Sequence, residues 1–375
     1  LPLVTQAAGI SPPAPGSRLS TQGNAGLNSS GAREAANKFL LDGLDNNDLF
    51  IGRLVINPGL EAVEEVSLLQ NTYDAEHGRS AGAHVNMVLR SGTRDWNGSV
   101  YDFVRNSALD ARSPLEPAGQ PRPSLARHLF GGSIGGPIGR RSSFFFVNAE
   151  GLLARELDHR RAHVPTMAER GGDFSLSGVT IVDPVSGEPF AGNRIPDARI
   201  GAAARAVMDL YPPPLQSDST TNLAATGIDD RRAGQVHIKT DHHLGVENLL
   251  SLRYSFSRDA RDLPFVARNR NLPGFGLSTF DQGHHLGAGF TAALSARMMG
   301  VVRAGVQSSG RENLPGRGDA DGFAALRIAG PPLPPEDFGY PAIEVQGYET
   351  LGDDANLPVV RRTRTSQVMG QLAID

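Results

Sequence analysis

Cysteine is absent from this chain, so neither a disulfide framework nor a thiolate metal site is open to it. No apolar run is long enough for a spanning helix, which leaves strands as the only means of crossing a membrane. Charge of one sign is lacking too. With 36 basic residues against 40 acidic ones, the formal net charge of −4 argues against nucleic acid as a partner. Lysine is nearly missing: only Lys38 and Lys239 are present, and arginine carries the rest of the positive charge without forming a basic stripe. Glycine at 44 residues and proline at 26 are abundant, a usage that suits many turns.

Residues 37–105 organise the rest. NKFLLDGLDNND reads as a short strand closed by Asp42-Gly43, followed by Asp and Asn side chains that cap their own backbone. Pro58-Gly59 opens a brief helical turn through Glu61 and Ala62, with proline suited to a first helical position and carboxylates near the positive end of the peptide dipoles. Val66, Leu68 and Leu69 predict a second strand. Val85, Met87 and Leu89 alternate with polar neighbours as a third, stopping at Ser91-Gly92. The unit reads as a small α+β domain.

Past Trp96 the rhythm changes. Alternating segments at 98–105, 126–137, 143–153, 235–242, 248–258, 284–294, 297–307 and 365–375 predict eight strands. In the clearest, Leu250, Leu252, Tyr254 and Phe256 alternate with Ser251, Arg253, Ser255 and Ser257. A ten-residue strand tilted about 45° covers roughly 25 Å, the height of the apolar band on an outer-membrane barrel. The gaps alternate as well: long at 106–125, 154–234, 259–283 and 308–364, short at 138–142, 243–247 and 295–296. Barrels in outer membranes join strands by short turns on one side and long loops on the other, and a soluble sandwich has no reason to keep that parity. Within 154–234, residues 202–210 have helical composition, and Pro212-Pro213-Pro214 ends them, so a folded external loop is expected.

Several motifs invite sharper readings that their surroundings refuse. A calcium loop starting at Asp42 needs Gly at 47 and Glu at 53, where Asn47 and Arg53 stand. Gly131-Gly132-Ser133-Ile134-Gly135 fits a nucleophile elbow, but Gly135-Gly136-Pro137 forbids the helix that must follow. The glycines suit a bent strand with other backbone packed nearby. The adjacent pairs His242-His243 and His284-His285 point to opposite faces of a strand and cannot chelate together. Asn-Leu-Pro recurs at Asn271, Asn313 and Asn356, each time in an expected external loop. No metal site and no cofactor is expected.

These segments resemble TonB-dependent outer-membrane receptors, and specifically the large Oar-like group. The resemblance rests on NKFLLDGLDNND, PGLEAVEEVSLLQNTYDAEHGRSAGAHVNMVLRSGT and WNGSVYDFVRNSALDAR, and continues through RHLFGGSIGGPI, FFFVNAEGL, VPTMAERGGDFS, DPVSGEPFAGNRIP and NLPGFG. It implies a mainly β fold: the C-terminal part of a plug domain at 1–95, then the N-terminal part of a transmembrane antiparallel β-barrel at 96–375. The chain is then an internal piece of a receptor whose full barrel has about 22 strands. The implied partners are a TonB-type energy-coupling protein, outer-membrane lipid and an extracellular ligand. No residue performs covalent chemistry in that scheme, and a non-transporting adhesin or surface-assembly protein on the same barrel is the competing reading. Asp42, Asp45, Asn46 and Asn47 become the plug signature, and Glu61, Glu64, Glu76 and Arg79 become candidates for a latch between plug and wall, with simple solvation as the alternative. Arg253 and His285 are expected to face the lumen.

Overall fold

Two sheets of different character follow one another along the chain. The computed structural model describes residues 4–12, 26–50, 52–70, 78, 80–111, 124–139, 142–215, 221–266, 271–354 and 356–374.

A two-residue ladder pairs β1 (Ile10–Ser11) with β2 (Asn28–Ser29). The first real sheet then forms from β3 (Lys38–Leu41), β4 (Leu44–Asp45), β5 (Val63–Leu69) and β6 (His84–Leu89), in the order β4-β3-β6-β5. Strands β3 and β4 make a two-residue hairpin over Asp42 and Gly43. Their φ angles of 48° and 77° are left-handed, which Asp-Gly adopts at low cost and which matches the twist of the flanking strands. Phe39 and Leu41 alternate inward and meet Val85, Met87 and Leu89 of β6, with Leu54, Ile56 and Ala62 closing the core. Each large side chain buried there contributes roughly 1.5–3 kcal/mol. Among the described residues of this part, helical structure is confined to single 3-10 turns at Val4–Gln6, Glu34–Ala36 and Leu60–Ala62.

The second sheet has eight strands, each antiparallel to its neighbours in the sequence: β7 (Asn97–Asn106), β8 (Leu125–Pro137), β9 (Ser143–Ala162), β10 (Leu223–His243), β11 (Asn248–Leu263), β12 (Leu277–Ser295), β13 (Met298–Pro315) and β14 (Val359–Ile374). It is an open wall, since β7 and β14 are its edges. Its faces are the reverse of a soluble sheet. On β11, Leu252 and Tyr254 are 43% and 37% exposed, whereas Arg253 and Ser255 between them are 4% and 0% exposed. The apolar side chains look out, and the polar ones are covered by the first sheet.

The strands run further than alternation marks. The connections narrow to 163–222 in place of 154–234, 264–276 in place of 259–283, and 316–358 in place of 308–364. The reason is local: beyond the apolar band both faces are polar, as in Asp229-Asp230-Arg231-Arg232 of β10, so the period-2 signal fades while the hydrogen-bonded ladder continues. Asn313 accordingly lies within β13 and not in a loop.

Three of the four long connections, 163–222, 264–276 and 316–358, fold against one another. They carry α1 (Met167–Arg170), α2 (Ala202–Leu210) and α3 (Gly322–Ala325), and share a core of Val164, Val207, Tyr211, Leu272, Phe275, Leu326 and Leu351. Helix α1 starts from a capping box between Thr166 and Glu169. Glu349 accepts from the backbone and side-chain nitrogens of Asn271 at 3.2 and 3.1 Å, and the Tyr211 hydroxyl donates to the Glu349 carbonyl at 2.8 Å. One cap therefore covers the end of the wall that carries the long connections.

Candidate functional site

The polar cluster that closes the β3–β4 hairpin is the part of the first sheet that meets the wall. Asp42 stands at its tip. Its carboxylate lies 3.0 Å from Arg253 Nε on β11 and 3.6 Å from Lys239 Nζ on β10. Both cations also cap carbonyls of the first sheet: Lys239 donates to Leu89 O at 2.9 Å, and Arg253 Nη2 to Leu41 O at 3.1 Å. Two cations and one carboxylate meet here, and carbonyl oxygens take up part of the cations' hydrogen bonding, with Arg253 Nη1 left without a hydrogen-bond partner.

Asp45 adds backbone contacts. Its side chain pairs with Lys38, so both lysines of the chain serve this junction. Gln367 on β14 accepts from the Asp45 N–H at 3.1 Å and donates to its carbonyl at 3.3 Å, imitating a rung of a ladder. His285 Nε2 lies 2.9 Å from that same carbonyl, which can only accept, so Nε2 carries the proton. Nδ1 is then free to accept from Arg253 Nη2 at 3.2 Å. A neutral His285 thus joins the wall's guanidinium to the hairpin's backbone.

Asn46 and Asn47 hold the hairpin in shape. Asn46 exchanges two hydrogen bonds with the backbone of Ile56, at 2.8 and 2.9 Å. Asn47 takes the Phe39 N–H at 2.7 Å and donates to the carbonyls of Asn37 and Gly52. The Asn47 carbonyl in turn receives Gln307 Nε2 of β13 at 2.7 Å. Beyond them, Arg53 bridges Asp48 at 3.2 Å and Asp281 of β12 at 2.6 Å, with Arg311 3.8 Å from the other Asp281 oxygen. Arg361 of β14 stacks 3.6 Å over the ring of Phe50.

Shape matches charge here. A methyl group added to Gly287 or Gly305 would stand 2.7 or 2.9 Å from Leu44 Cδ1, and one on Gly283 would stand 3.0 Å from both Val55 and Ile56. Three glycines on β12 and β13 therefore form a notch that receives Leu44 of the hairpin and Val55 and Ile56 of the segment after it. On the other flank, Gly59 packs against Glu150, which is held by the Tyr101 hydroxyl at 2.8 Å and Gln235 at 2.7 Å.

Of the residues singled out from the sequence, Asp42, Asp45, Asn46, Asn47, Arg253 and His285 come together in this one interface. Glu61 is half-buried in the turn beside Gly59, and Glu64 is exposed on β5. Glu76 and Arg79 lie outside the described residues. Lys239, Asp281, Gln307, Arg311 and Gln367 were not singled out. Their rarity or their inward parity was the available signal, and Lys239 in particular is one of two lysines in the chain. Among the described residues no group of His, Asp and Glu could hold a metal ion. Ser133 lies within strand β8, with its hydroxyl 2.9 Å from that of Ser99, so it is not on a strand-to-helix elbow.

A family profile described as "Outer membrane beta barrel domain" matches residues 88–374. The TonB-dependent transporter Oar of Myxococcus xanthus is 26% identical over 170 residues, which cover 44% of this chain and 16% of that protein. The crystal structure of the outer membrane transporter YddB of Escherichia coli shares the fold, with a TM-score of 0.57 at 10% identity over 100% of this chain and 42% of that one. The chain thus spans less than half the length of either relative, and both relatives are described as transporters. Because the matched range takes in every strand of the large sheet, the chain belongs to the outer membrane beta barrel domain family, whose place is the cell outer membrane.

Proposed function

We propose that the complete protein is a TonB-dependent outer-membrane transporter, in which external loops capture a scarce ligand and energy-coupled rearrangement of the plug admits it. In this reading residues 1–95 belong to the plug and 96–375 to the barrel, with the long connections outside the cell. The observation that carries it is the junction just described. The hairpin meets the wall through ion pairs, carbonyl caps and a glycine notch, and among the described residues neither apolar core spans the two. Such contacts hold a plug in one place, yet they can be exchanged for water without unfolding either sheet. A periplasmic energy-coupling protein is the partner this mechanism requires.

A second reading, a non-transporting adhesin or surface-assembly protein, draws on the cap. Its three connections share one apolar core, which suits a fixed binding surface. Cells expressing the full protein would be offered labelled ferric siderophore, oligosaccharide and peptide, before and after a protonophore. Accumulation of one of them that stops when the proton gradient collapses supports the transporter. Surface binding without accumulation under either condition supports the adhesin.

A further inference from the structure

A hollow of about 930 Å³ opens on the outer face of the wall, away from the plug. That volume falls in the range of roughly 300–1,000 Å³ typical of ligand pockets. Strand register shows how it arises. Phe130, Gly151, Gly234 and Arg258 stand side by side in one row across β8 to β11, and the row below reads Gly132, Ala149, Val236, Phe256. All have the parity of the outward-looking Leu252 and Tyr254. The Phe130 ring lies over Gly151, and the absent side chain of Gly234 leaves a trough between that ring and Phe256.

The upper edge of the trough is charged. Arg232 and Arg258 line it, at the level where the outward residues of β11 change from Leu252, Tyr254 and Phe256 to Arg258. This is the cap side of the apolar band. Arg232 shares Asp230 with Arg155, at 3.2 and 3.6 Å, and Asp262 accepts from the Ser278 hydroxyl at 2.6 Å. Arg258 has no carboxylate within ion-pair distance among the described residues, and its guanidinium rests 4.9 Å over the Phe280 ring. A guanidinium that pairs with no carboxylate among the described residues, next to an apolar trough at the headgroup level, fits an anion that brings its own hydrocarbon.

We propose that this trough is a binding site for a phosphate-bearing, acylated lipid of the outer leaflet. One acyl chain lies over Gly234, between the Phe130 ring, which itself covers Gly151, and Phe256, and the phosphate is held by Arg258 and Arg232. The site is separate from the junction between plug and wall and does not depend on transport.

The test uses the full-length protein in detergent, titrated with purified lipid A and followed by native mass spectrometry. Two variants attack the site from different sides. R232A combined with R258A removes the headgroup contacts. Gly234→Leu fills the trough, and it has room to do so, because a Cβ there meets nothing closer than Glu150 O at 3.7 Å. Heat-modifiable mobility in gels, unchanged in both, shows that the barrel is intact. The expected result is retention of lipid A by the wild type and at least tenfold weaker retention by each variant, with dephosphorylated lipid A bound weakly by all three. Equal retention in wild type and both variants, or equal retention of the dephosphorylated lipid, overturns the proposal. Phosphatidylglycerol binding as well as lipid A overturns the assignment to the outer leaflet.

Discussion

Arg253 on the wall and Asp42 at the tip of the β3–β4 hairpin stand 3.0 Å apart, and each is also fastened to the backbone of the first sheet. Arg253 donates to Leu41 O, while Asp42 accepts from the Leu89 N–H at 3.0 Å. The ion pair is thereby tied into both β3 and β6. A surface pair is worth little, but removing one partner of a buried pair leaves an uncompensated charge.

Arg253→Met is therefore expected to weaken docking of the first sheet on the wall by about 3–5 kcal/mol, since Lys239 at 3.6 Å is then the one cation beside Asp42 among the described residues. Adding Asp42→Asn should recover part of that loss. The readout is entry of vancomycin, which a seated first sheet excludes if it is the plug of the proposed function. Sensitivity must rise in the single variant and fall back in the double. Wild-type sensitivity in Arg253→Met removes this pair from the latch.

The glycine notch makes a steric counterpart. Gly287→Val places a branched side chain where Leu44 Cδ1 stands 2.7 Å from the first added atom, with Arg253 Nη2 only 2.8 Å away on another side. Overpacking of this kind costs typically about 1–3 kcal/mol. Cross-linking between cysteines placed at Val55 and Ser257, whose hydroxyl lies 3.5 Å from the Val55 carbonyl, should drop several-fold in that background. Shortening Leu44 to Ala should restore it. A cross-linking yield that ignores Gly287→Val means that the notch is slack.

How much of this is legible in the sequence differs between elements. The strands of the wall are, because an apolar band in lipid forces alternation on residues such as Leu250, Leu252, Tyr254 and Phe256. Their upper ends are not, because no apolar solvent distinguishes the faces there, and Asp229-Asp230-Arg231-Arg232 reads as loop. The Asp42-Gly43 turn is legible from its own chemistry. Its partners are not, because Lys239, Gln307 and Gln367 are ordinary inward polar residues until a segment far away in sequence covers them. The mutual packing of the three long connections is hidden for the same reason: Leu272, Tyr211 and Leu351 are far apart in sequence and join only in the folded cap.

That shared core predicts coupled behaviour of the connections. Leu351 is fully buried, and Leu351→Ala should cost about 2–5 kcal/mol of cap stability through lost transfer energy and the cavity left behind. Hydrogen exchange should then quicken in all three connections, around Val164, Leu272 and Leu351 together, while the strands of the wall keep their protection. Faster exchange near Leu351 alone would show that the connections are independent.

Acid provides a separate handle on the longest connection. Arg199 donates to Asp183 at 2.7 and 2.9 Å, and that hydrogen-bonded pairing, together with the Val185 N–H, holds the Asp183 carboxyl below the usual carboxylate range. A depressed folded-state pKa means that the stabilisation is present above the unfolded value of about 3.9 and is lost as pH falls through the folded value. The segment 173–199 should therefore resist pepsin as pH is lowered to about 4 and give way only below it. Arg199→Gln removes the largest cause of the depression, so cleavage should begin at a pH closer to the unfolded value, with the wall strands uncut in both proteins. Identical onset of cleavage in the variant and the wild type would mean that Asp183 does not set the acid limit of this connection.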